Sequence, residues 1–141
     1  MLEIKRLSLK EAKILLEGAE LKAAEMKVPM CTAIADETGN MIAFTRMDDA
    51  KITSVDIAIN KAFTAAAAKR ATKDYNEIAV PGKPTFGIHT TNQSRFTIIG
   101  GGIPVFDGSA IVGSVGVSGG TAAEDETVAK AAIDYFNGKN K

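Results

Sequence analysis

The stretch Ile103-Pro104-Val105-Phe106-Asp107-Gly108-Ser109, continued by the apolar run Ala110 to Val117, decides the fold of this chain. Asp-Gly between two apolar runs signals a hairpin, because the tight type I′ turn needs positive φ at both central positions. Hairpins build antiparallel sheets, so the stretch argues against a parallel, doubly wound architecture. Just upstream, Phe96 to Ile99 reads as a further strand. Just downstream, Thr121 with Glu124 has capping-box spacing, and Val128, Ala131, Ala132 and Tyr135 make the inner face of a last helix.

The N-terminal half repeats the theme. Ser8 with Glu11 has the same spacing, and Ala12, Leu15, Leu16, Ala19, Ala23 and Met26 recur on one face, predicting a first helix from Ser8 to Met26. Pro29 ends it. Met30 to Ala35 and Met41 to Met47 read as two strands around Asp36-Glu37-Thr38-Gly39-Asn40, whose residues suit a tight loop. From Ile52 a helical period returns, with Val55, Ala58, Ile59, Ala62, Phe63 and Ala66 as its apolar stripe. Its end, Ala65 to Ala68, is thin enough for another backbone to approach, whether the protein's own sheet or a second subunit. Between Thr72 and Gln93 the pattern weakens around Pro81, Gly82 and Pro84, which predicts a surface excursion with one short helical turn. The order is helix, hairpin, helix, excursion, three strands, helix. That is an α+β chain with a mainly antiparallel sheet of about five strands and helices on the sheet faces.

The 141 residues, 45% of them hydrophobic, suffice for one domain spanning residues 1–141. Seventeen Lys and Arg balance seventeen Asp and Glu. A neutral chain has no overall field to collect nucleic acid or anionic lipid, so neither is an expected partner. One Cys and one His cannot build a closed zinc site within a chain, and Cys31 has no intrachain disulfide partner. The charged N-terminal segment resembles neither a signal peptide nor a membrane span, so the expected compartment is the cytoplasm.

Glycine is dense in the last third: Gly100, Gly101 and Gly102, then Gly113, Gly116, Gly119 and Gly120. In strands this means sheet curvature, bulges, or a place where a ligand or second backbone comes close. The spacing is not G-x-G-x-x-G and no P-loop Lys follows, which excludes those nucleotide motifs. Ser118-Gly119-Gly120-Thr121 joins a strand to a helix N-terminus, where free amides and the helix dipole can hold a carboxylate or phosphate. Glu124, Asp125 and Glu126 can equally satisfy that terminus themselves. His89, the sole imidazole, is either a solvated loop residue or an axial metal ligand. Cys31, in an apolar strand, reads as a buried and inert thiol, and Met30, Met41 and Met47 as core filler or soft pocket walls. Lys61 borders the apolar stripe of the second helix, where it can reach a ligand carboxylate or extend into water. Ser/His/Asp catalysis would need His89 to meet a serine and an acid, and no paired carboxylates stand out, so no catalytic residue is assigned.

Several of these segments together resemble one family. They are Ser54-Val55-Asp56-Ile57-Ala58 leading into Lys61-Ala62-Phe63-Thr64-Ala65, then Gly101-Gly102-Ile103-Pro104-Val105, then Gly113-Ser114-Val115-Gly116-Val117-Ser118-Gly119-Gly120 with Asp125-Glu126. In this order they are similar to the GlcG/HbpS-type haem-binding family, a domain also found at the C-terminus of PduO-type cobalamin adenosyltransferases. The resemblance implies a three-layer α/β sandwich of the profilin-like kind and a homo-oligomer, dimer or larger. It implies haem as a cofactor, with relatives in glycolate, diol and glycerol utilisation. If iron is ligated through imidazole, His89 is the only choice, with Tyr75, a methionine or Lys61 as weaker alternatives.

The expected function is therefore binding of haem or a related tetrapyrrole without catalytic turnover. The expected site is a shallow apolar groove beside the glycine-rich strands, closed by a second subunit, with His89 on the iron. Phe63, Phe86, Ile88 and Phe96 are candidate walls, and Lys61 with Ser118, Gly119 and Gly120 the holders of the ligand's carboxylates. Two other classes remain open. One is an accessory protein in glycerol, diol or corrinoid metabolism that docks on a dehydratase or similar enzyme. The other is a small enzyme for a carboxylate metabolite.

Overall fold

The computed structural model describes residues 1–139. Helix α1 (Leu9–Met26) begins with the expected reciprocal cap, in which the Glu11 amide donates to Ser8 Oγ and the Ser8 amide to the Glu11 carboxylate. Strands β1 (Cys31–Asp36) and β2 (Met41–Arg46) form the first hairpin. Its turn is closed by the Thr38 and Asn40 amides donating to Asp36 Oδ1, with Gly39 at φ +91°. Helix α2 (Thr53–Ala67) is followed by a strap that carries 3-10 turns at Thr72–Tyr75 and Ile88–Thr90 and the four-residue helix α3 (Thr91–Ser94). Strands β3 (Gly102–Asp107) and β4 (Ala110–Ser118) form the second hairpin across the two residues Gly108 and Ser109, of which only Gly108 has positive φ (+62°), so the type I′ turn expected at Asp107-Gly108 is not formed, and α4 (Ala122–Lys139) follows. Among the described residues no helix is long and apolar enough to cross a membrane.

The sheet has four strands, in the order β2-β1-β4-β3 with every neighbouring pair antiparallel. The expected fifth strand, Phe96 to Ile99, is not formed. The Thr97 amide donates instead to Thr64 Oγ1 of α2 at 2.9 Å, so a helix side chain takes a bond that a ladder would need. The strap is also more buried than an excursion over the surface: Thr72, Tyr75 and Ala79 are core residues, and Thr72 Oγ1 accepts from the Gly102 amide.

Alternation along β1 divides the core. Cys31, Ala33 and Ala35 pack with Ala58 and Ala62 of α2, while Ile34 joins Leu15 and Leu16 of α1 and Val128 and Ala132 of α4. On the α2 side the approach is backbone to backbone. A Cβ at Gly116 would overlap Ala58 O and Ala62 N, so only glycine lets the helix settle there. Gly113 is covered by Ala35 O and the Leu7 side chain, and Gly119, at φ +151°, by Pro29 O and Met30. The shallow groove expected beside these glycines is therefore filled by the protein itself. The buried face of α2 is Ser54, Ala58, Lys61, Ala62, Thr64, Ala65 and Ala66. It is rotated from the periodic stripe, so Lys61 enters the core and Phe63 moves to the margin.

Candidate functional site

Lys61 does not reach solvent. It is 1% exposed, and its ammonium donates to Val117 O and to Asp125 Oδ2, both at 2.9 Å. The other carboxylate oxygen of Asp125 accepts from the Gly120 amide at 2.8 Å. Burial pulls the Lys61 ammonium below its ordinary value and pushes the Asp125 carboxyl above its own, each opposed by the bond between them. With donors on both oxygens and an acceptor besides the carboxylate on the ammonium, the pair is a structural ion lock joining α2, the end of β4 and α4. Gly101 stands against it, since a Cβ there would lie 2.8 Å from Lys61 Nζ.

The same network consumes the donors expected to hold a ligand's carboxylate. The Thr121 amide donates to Glu124 Oε1 and the Glu124 amide to Thr121 Oγ1, a complete capping box, while the Gly120 amide is taken by Asp125. Ser118 Oγ is buried in a 3.1 Å bond to Ser54 Oγ. Gly119 serves a close backbone crossing. Lys61, Ser118, Gly119 and Gly120 thus come together as expected, but as an internal joint of the fold and not as an open anion site.

The aromatic residues form a second group. Phe63, Thr64, Ala67, Ala68, Asn92 and Phe96 line a small cleft of about 130 Å³ between α2 and the strap. Phe96 meets buried Tyr75 edge-on at 4.9 Å, and the Arg95 guanidinium lies 4.0 Å from the Phe63 ring centroid. The strap wall turns on Asn92, Gln93 and Ser94, with φ of 54°, 59° and 62°. Three successive non-glycine residues in the left-handed region cost on the order of 1 kcal/mol each, strain that the surrounding contacts must hold. His89 sits on the same strap, three residues before Asn92. It is half-buried, its ring is 5.9 Å from that of Phe86, and its Nδ1 is buried without a hydrogen-bond partner. Phe86 is itself 56% exposed, an apolar surface beside the imidazole.

The expected site residues therefore fall into a buried lock, a strap cleft that takes Phe63 and Phe96, and a strap pair, His89 and Phe86, that does not line the cleft. Sequence reasoning missed Asp125 as the partner of Lys61, because the two are 64 positions apart and Asp125 lay in a run read as capping. It also missed Asn92 and Arg95. Their only signal was the polar run Thr90 to Arg95, which spacing alone leaves featureless. Cys31 is fully buried, and burial raises its thiol pKa, with Arg46 opposing.

Comparison with known proteins places this geometry. The family model described as haem degrading protein HbpS-like matches residues 7–134. An uncharacterised 15.0 kDa protein of the dhaT-dhaS intergenic region of Citrobacter freundii is 40% identical over 135 residues, covering 96% of this chain and 95% of that protein. The crystal structure of Klebsiella pneumoniae protein ORFY is similar with a TM-score of 0.95 and 36% identity, over 97% of this chain and 94% of the other. A structure described as a PduOC:heme complex is similar with a TM-score of 0.89 and 31% identity, over 92% and 94% respectively. With its family signature running through both hairpins and all the long helices, this chain belongs to the HbpS-like family.

Proposed function

We propose that this chain binds haem or a related tetrapyrrole as a homo-oligomer, with the macrocycle against the strap and His89 on the iron. The observation that carries the reading is the likeness, over 92% of the chain, to a domain described in complex with haem. The residues present fit the group. His89 is the sole imidazole, and its buried Nδ1 has no partner among the described residues, so no bond within the described chain holds the ring away from a ligand. Phe86 beside it offers an exposed apolar face for a flat ligand. Small-molecule pockets usually hold roughly 300–1,000 Å³, well above the 130 Å³ of the Phe63–Phe96 cleft. A second copy is what closes the site. Lys61 takes no part, since its charge is engaged by Asp125. With α2 on one face of the sheet and α1 and α4 on the other, the scaffold is a three-layer sandwich that leaves the strap as the exposed rim.

The test is a haemin titration. The parent chain develops a shifted Soret band at micromolar protein, and His89→Ala weakens and displaces it. Absence of any shift in the parent overturns haem binding. An identical band in His89→Ala overturns the ligand assignment alone.

A further inference from the structure

A cavity of about 640 Å³ opens at the first turn of α4, lined by Arg70 and Lys73 from the strap and by Gly100, Ala122, Ala123 and Glu126. It holds none of the residues assigned to haem. Glu126 is 9% exposed, and its Oε2 is buried without a hydrogen-bond partner. Its other oxygen is 3.6 Å from the ammonium of Lys73, whose side chain is 52% exposed and free to turn toward a guest. Glu126 follows Asp125 in the chain but makes no bond to Lys61, whose ammonium is taken by Asp125, so its orphaned oxygen still lacks a donor.

The opposite requirement lies a turn away. An α-helix leaves its first amides without intrahelical partners. In α4 the Gly120 amide goes to Asp125, that of Thr121 to Glu124, that of Glu124 to Thr121 Oγ1 and that of Asp125 to Thr121 O. The Ala122 and Ala123 amides find no acceptor among the described residues, and both residues line the cavity. The helix dipole and Lys73 add positive potential at this end, while the charge of Arg70 is taken by Asp74 at 3.4 Å and Glu77 lines the far wall of the cavity. Gly100 keeps the two halves connected. A Cβ on it would touch Lys73 Cβ at 3.4 Å, and Ala122 O and Glu126 Oε2 at 3.5 Å, so the absent side chain is the opening between them.

We infer that this cavity is a binding site for a small carboxylate bearing an adjacent hydroxyl or ammonium group, the carboxylate on the first turn of α4 and the donor on Glu126 Oε2. The inference is independent of haem.

Titration calorimetry of the full chain with matched three-carbon probes tests it: alanine and lactate carry both groups, propionate only the acid, propylamine only the donor. Alanine or lactate should bind at least about tenfold more tightly than propionate and propylamine, and which of the two wins identifies the donor. Lys73→Ala should weaken that binding, and Gly100→Leu should abolish it with an unchanged far-UV spectrum. If Gly100→Leu folds poorly, Gly100→Ala makes only ordinary contacts and should still weaken binding. Propionate binding as tightly as alanine and lactate, no binding by either of those, or undiminished affinity in the folded Gly100 variants would each overturn the inference.

Discussion

At the scale of single residues the largest commitment is Lys61. Removing one member of a buried, hydrogen-bonded ion pair leaves the other charge uncompensated, a cost of about 3–5 kcal/mol. Lys61→Met and Asp125→Asn should each lower stability by that order in urea melts. The double variant should be less destabilised than the sum, because no charge is left stranded. Additive losses would mean the two groups do not act as a pair. Asp36 sets a pH dependence. Burial pushes its carboxyl up, but the bonds from the Thr38 hydroxyl and amide and the Asn40 amide, with Arg6 nearby, hold it below its ordinary 3.8. A carboxyl with a depressed folded pKa contributes stability that is full above its unfolded pKa and lost as pH falls through the folded value. Asp36→Asn should therefore flatten the decline in stability between about pH 5 and pH 2, and an unchanged slope would remove Asp36 as its source.

Among the elements, the contact of α2 with β4 depends on a missing side chain. Gly116→Ala sets a methyl against the helix backbone, where neither partner can rotate away, and should cost about 3 kcal/mol or more by thermal or urea unfolding. Gly138, in the last turn of α4, has open space where an added methyl would sit, with nothing within 4 Å. Gly138→Ala should raise stability by up to about 1 kcal/mol through helix propensity alone. If Gly116→Ala is neutral, the close approach there is not what seats the helix. The element missing from expectation, the strand at Phe96 to Ile99, shows why apolar runs mislead. Phe96 packs on buried Tyr75 and Thr97 bonds to α2, so the run is apolar for packing and not for pairing.

For the whole molecule, the strap is where folding and the proposed binding meet, since it carries His89, Phe86 and the left-handed turn. If a second copy completes the haem site, haem retention should fall on dilution in step with dissociation seen by sedimentation. Retention by a monomer would overturn the shared site. The sequence alone determined the capped helices, both hairpins and the antiparallel class, because capping boxes, glycine-bearing turns and hydrophobic periods act over a few residues. It also carried the family signature. Only the tertiary structure decided that Gly116 admits α2 and not a ligand, that Lys61 is locked inward on Asp125, and that a buried, unpaired Glu126 oxygen lies beside a cavity. Each of these depends on which distant backbone comes to rest against a residue, and spacing along the chain does not encode that.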